Sequence, residues 1–76
     1  MDTQFNKFSK RIHKLADTTA NKIDNLTDSM LEEYIKEKSR DPKEGQEFYD
    51  RITDLYEAKI EIRFILERIA RNVENL

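Results

Sequence analysis

Lys7, Lys10, Arg11 and Lys14 form the densest concentration of one chemistry in this sequence. On a helix they fall on one face. Cations grouped in this way can neutralise several phosphates at once, which gives salt-dependent binding to nucleic acid without regard to base sequence. Arg63, Arg68 and Arg71 make a second basic series near the C-terminus. Other chemistries find less material. His13 is the only imidazole, and its place at the edge of the basic face, away from the apolar stripe, gives it no catalytic or metal role. Acidic residues are abundant, but on helix surfaces they are solvated. Glu57 and Glu61 stand one turn apart and could touch a cation, yet the Glu-x-x-His motif of di-metal bundles is absent. Without cysteine there is no disulfide and no thiolate metal site. The single glycine, Gly45, cannot build a phosphate loop. Neither an enzyme, nor a cofactor, nor a metal is expected.

The elements that must position these charges are helical. At 76 residues the chain makes one small domain, so a single helical domain over 1–76 is expected, with a thin core. Charged residues at 39% against 37% apolar, with one Gly and one Pro, suit long exposed helices better than a compact α/β core. No apolar run approaches the roughly 20 residues of a membrane span. Asp2, Asn6, Lys7, Lys10 and Arg11 interrupt any signal-peptide core. These features point to an intracellular protein with no membrane role.

The stretch Asp41–Leu76 organises the rest. Phe48, Ile52, Leu55, Ile62, Leu66, Ile69, Val73 and Leu76 follow at alternating steps of four and three, broken only by Lys59. That repeat lays one apolar stripe along a helix of 42–75, roughly 50 Å long. Lys59 in the stripe costs stability but can fix register. Tyr49, Tyr56, Ile60, Phe64 and Ile65 fall outside or beside the stripe, which is more apolar surface than one partner helix needs. Upstream, Phe5, Phe8, Ile12, Leu15, Ala16, Thr19, Ile23 and Leu26 share a face about 100° wide on a first helix of 3–25. The polar cluster Asp24, Asn25, Thr27, Asp28 and Ser29 then breaks the phase. Thr27 reads as an N-cap, with Leu26 and Leu31 as a hydrophobic staple, opening a short helix of 28–39 in which Glu32 and Lys36 pair. One long helix with a stutter near residue 27 is the alternative.

Ser39-Arg40-Asp41-Pro42 is firm punctuation: Pro42 disfavours helical geometry at Asp41, Asp41 makes a good N-cap, and Pro42 then sits at N1. Glu44 at N3 completes a capping box, and Gly45 weakens the first turn. Acids fill the first half of the last helix and arginines its second half, as the helix dipole favours.

Matching lengths send the first two helices one way and the third back, so the expected fold is all-α: an antiparallel hairpin, or a small three- to four-helix bundle with a long C-terminal helix. Lys7, Lys10, Arg11, Lys14, Arg63, Arg68 and Arg71 then gather at one end, as a nucleic-acid-binding set. The plainer alternative is a solvated face partly neutralised by Asp2, Asp17, Glu67 and Glu74. The Cys-free style and the stretch LEEYIKEKSRDPKEGQEFYDRITDLYEAKIEIRFILERIARN resemble small helical accessory proteins of large tailed phages. In length and character the chain is similar to those encoded beside the UvsW helicase of T4-like phages. That resemblance implies a dynamic helical bundle, related to the nucleic-acid-binding module of RecQ-type helicases, acting in recombination and repair in the host cytoplasm. Two functions therefore stand open. One is a non-enzymatic nucleic-acid-binding accessory of a helicase or recombination system, meeting single-stranded or branched DNA. The other is a protein–protein adaptor or coiled-coil oligomerisation module, such as a homo-oligomer, with no nucleic-acid role.

Overall fold

A computed structural model describes residues 3–76, with side-chain surroundings for residues 5–36 and 41–76. Two helices account for nearly all of it. Helix α1 spans Thr3–Arg40 and helix α2 spans Pro42–Glu74, 38 and 33 residues long. They meet at Asp41 and run back alongside each other. Tyr34 with Tyr49, Asp24 with Lys59 and Asp17 with Arg63 mark the antiparallel register. The Cα trace measures 59 × 15 × 7 Å, so the molecule is long and one helix thick. No strand occurs among the described residues.

The turn follows from its residues. Asp41 is extended, with φ −140° and ψ 100°, and its Oδ1 accepts the backbone N–H groups of Lys43 at 3.1 Å and Glu44 at 3.4 Å. Pro42 begins the helix, where no N–H is needed. At the far end the Asn75 N–H reaches the Arg71 carbonyl and the Leu76 N–H that of Val73.

The expected bundle of three or four helices gives way to a two-helix hairpin, because the polar cluster at 24–29 does not interrupt α1. Thr27 does not cap. Its hydroxyl donates back to the Asp24 carbonyl at 2.9 Å, and the Ser29 hydroxyl donates to that of Asn25 at 3.2 Å. Hydroxyls satisfied within the helix leave no reason to leave it. Thr27 is instead completely buried against α2.

The seam also differs from the expected stripe on α1. Ser9, Ala16, Ala20 and Thr27 are buried there, meeting Gly45, Ile52 and Ala70 of α2. His13 lies in this series, half-buried one turn after Ser9, rather than away from the stripe. Phe5, Phe8, Leu15 and Leu26, expected in the core, are exposed. Small side chains allow two backbones to approach closely, and helix spacing depends on the residues at the contact. Large neighbours are then left on the flank. Along α2 the strict 4-3 repeat leaves the seam in its second half: Ile62 and Ile69 turn outward, Leu66 stays half-buried, and Ala70 is fully buried. A straight helix drifts about 20° per heptad against such a repeat.

Candidate functional site

Two surfaces carry the chemistry. They lie on opposite flanks of the seam. Lys10, Asp17 and Asp24 are seven residues apart and share one flank of α1. Across from them, Arg63 Nη2 sits 3.0 Å from Asp17 Oδ1, and Lys59 Nζ sits 2.7 Å from Asp24 Oδ1. This is the ionic flank. Lys59, expected in the seam, is half-buried at its edge, and its ammonium also stands 5.4 Å from the centre of the Tyr56 ring.

Toward the termini this flank becomes basic. Lys7, Lys10, Arg11 and Lys14, with Asn6, line an open hollow of about 440 Å³. None of the four forms an ion pair among the described residues, although Arg11 lies 5.9 Å from the centre of the Phe8 ring. Asn6 Oδ1 is buried in this region without a hydrogen-bond partner. Arg71 stands one turn beyond Glu67 on the same ridge of α2, close in register to Lys10. Arg63 belongs elsewhere: Asp17 and Glu67, the latter at 3.2 Å, hold its guanidinium. Arg68 is exposed on the outer side of α2, two residues before the buried Ala70. The predicted basic set is thus split. Lys7, Lys10, Arg11 and Lys14 line one hollow with Arg71 near in register, Arg63 is held by Asp17 and Glu67, and Arg68 is exposed on the outer side of α2. Asp2, expected to temper this end, lies outside the described residues.

The hinge end is acidic, with a hollow of about 510 Å³ lined by Glu44, Glu47, Phe48, Asp50 and Arg51. The expected Glu32–Lys36 pair is replaced by Glu33–Lys36, at 3.5 Å. Among the described residues no group of three or more His, Asp or Glu is placed to hold a metal ion. No helix, among the described residues, is long and apolar enough to cross a membrane.

The second surface is the opposite flank. On α1, Phe5, Phe8, Leu15 and Leu26 occupy it; on α2, Ile62, Ile65 and Ile69 do, and all are exposed. The antiparallel register sets Leu15 level with Ile65 and Ile69, making one apolar surface over the terminal half of the hairpin. The ionic flank carries exposed apolar side chains as well, Tyr49, Tyr56, Ile60 and Phe64, and Phe64 stands level with Ile65. Sequence reasoning noticed the surplus on α2 but assigned the surplus on α1 to the core. The signal for the difference was the small-residue series at 9, 16, 20 and 27.

No protein-family model matches the chain, and neither the curated proteins nor the solved structures hold a significant match.

Proposed function

We propose that the protein is a non-enzymatic helical interaction module, an adaptor or oligomerisation element whose working state covers the apolar flank. One observation carries this reading. Leu15 is 53% exposed and Ile65 44%, within an apolar surface over the terminal half of the hairpin, while among the described residues few large apolar side chains are fully buried. Contiguous apolar patches of this kind mark interaction sites. A photo-crosslinking residue at Leu15 or Ile65, introduced in the cell that makes the protein, should give discrete protein adducts. The same residue at Asn25 or Glu61, on the outer faces, should give none. Absence of adducts at Leu15 and Ile65 would remove the proposal.

Lys7, Lys10 and Lys14, which have no ion-pair partner among the described residues, favour a second reading, in which the basic flank holds nucleic acid beside a helicase or recombination partner, as the likeness to phage accessory proteins suggests. Phosphate contacts of this kind would give affinity that falls steeply with salt. Anisotropy titrations of single-stranded, duplex and branched DNA at two salt concentrations test it.

A further inference from the structure

Resting on the interaction-module reading, we propose that the occupant of the apolar flank is a second copy of this chain, so that two hairpins pair face to face about a two-fold axis into a four-helix bundle.

Surface area is the first support. The hairpin exposes 5940 Å². A compact monomer of this mass exposes about 4,900 Å². The excess, about 1,000 Å², is close to the roughly 800 Å² that each partner loses in a standard-sized interface. It is explained by shape, since a layer one helix thick has no second layer to pack on. Two such layers stacked on their apolar flanks form the smallest assembly of whole hairpins that gives each helix two neighbours.

Charge is the second support. A two-fold contact places the same patch on both sides, so the patch must not repel itself. Over the terminal half the flank meets this condition. Phe5, Phe8, Leu15, Ile62, Ile65 and Ile69 are uncharged, Lys10 lies across the seam, Lys7 and Lys14 lie on the outer side of α1, and Arg11 stands at the edge of the patch over Phe8. The ion pairs Asp17–Arg63 and Asp24–Lys59 also sit on the far flank. Stacking the terminal halves of two copies therefore buries no cluster of like charge and leaves the basic hollow open, whereas Glu33, Glu44 and Glu47 keep the hinge half of the same flank out of the contact.

Sedimentation equilibrium of the full chain over a wide range of concentration tests the proposal, together with two double variants. The wild type should reach twice the chain mass. Leu15→Lys with Ile65→Lys should raise the dissociation constant at least a hundredfold, roughly the loss of two hot-spot contacts. Ile60→Lys with Phe64→Lys, changes at still more exposed positions on the ionic flank, should leave the dimer intact. If the first variant unfolds, isotope-filtered NMR of mixed labelled and unlabelled wild-type chains decides the matter. Intermolecular contacts to the Leu15, Ile65 and Ile69 methyls support the pairing, and their absence or restriction to Ile60 overturns it. A wild type that stays monomeric, a dimer that survives the flank variant, or a trimer also overturns it. A monomer that still gives adducts of another mass at Leu15 removes the second copy and leaves the interaction module standing. A monomer without adducts removes both.

Discussion

The seam and the apolar flank beside it sort side chains by size in opposite directions. Ser9, Ala16, Ala20 and Ala70 are buried in the seam, and among the described residues Ile52 is the only large apolar side chain buried as fully. On the flank stand Phe8, Leu15, Ile65 and Ile69, each more hydrophobic than most of the seam and each left exposed. Burial in this molecule therefore follows fit between two helices rather than hydrophobicity. A buried Ala or Ser removes little apolar area from water, so the seam supplies register and close approach but modest transfer free energy. The large transfer term lies on the flank and is realised only when something covers it. Seam substitutions should accordingly act on the hairpin, and flank substitutions on its association.

The largest contrast is at Ile52. It is 1% exposed, and Ile52→Ala should cost about 2–4 kcal/mol through lost transfer and a residual cavity. Ile60 is 65% exposed on the ionic flank, and Ile60→Ala should change stability by no more than about 0.5 kcal/mol. Urea unfolding followed by circular dichroism measures both. Comparable losses would break the division between seam and surface.

Next in size is a change that adds volume. Ala16 is almost fully buried, and Ala16→Leu should cost about 1–3 kcal/mol, because the helices must separate to admit the extra carbons. Leucine is nearly as good a helix former as alanine, so almost all of its cost at position 16 would come from the seam. A neutral Ala16→Leu would show that the small residues do not set the helix spacing.

A smaller gain is expected at Lys59. Its bond to Asp24 is short, at 2.7 Å, but the Asp24 side chain is 43% exposed and the pair is only partly shielded from water. Pairs of that kind contribute about 0.2–1 kcal/mol. Lys59→Leu gives up this term, leaves Asp24 hydrated, and extends the apolar series from Leu55 to Leu66, for a net gain of about 1 kcal/mol. A loss that Asp24→Asn restores would mean that the ion pair outweighs the apolar contact.

These sites also show what could be read from the sequence. The boundary at Asp41-Pro42 was legible because capping is local: an Asp side chain, a missing N–H and the next two amides decide it. The first half of the α2 stripe was legible for a similar reason, since Phe48, Ile52 and Leu55 are both apolar and inward. Thr27 was not. The same hydroxyl can cap a new helix or bond back within an old one, and only its burial against α2 separates the two. The α1 face was misread because hydrophobic weight points at Phe8 and Leu15, while the closest approach is made by residues that weigh little. Asp17 and Glu67 could be named as neutralising acids but not assigned to Arg63, because Asp17 lies 46 positions away and is brought near only by the antiparallel register.

The smallest expected effect on stability comes from Lys10→Gln combined with Lys14→Gln, and it bears on the basic flank alone. Both side chains are exposed and neither has an ion-pair partner among the described residues. Unfolding free energy should shift by no more than about 0.5 kcal/mol, and association through the opposite flank should not change. If these cations hold phosphates, each contributes about 0.7–0.9 to the slope of log affinity against log salt. The double variant should then lower that slope by roughly 1–2 and weaken binding to all DNA sequences alike, because phosphate contacts carry no sequence information. Arg63→Gln makes the internal control. Its guanidinium is already held by Asp17 and Glu67, so it should leave the slope unchanged while loosening the hairpin slightly. A slope that falls equally for Arg63→Gln would mean that the Asp17 and Glu67 pairs open to admit the strand. Wild-type protein that binds no form of DNA at low salt would leave the apolar flank as the single working surface, with the lysines keeping the outer faces of the assembly hydrated.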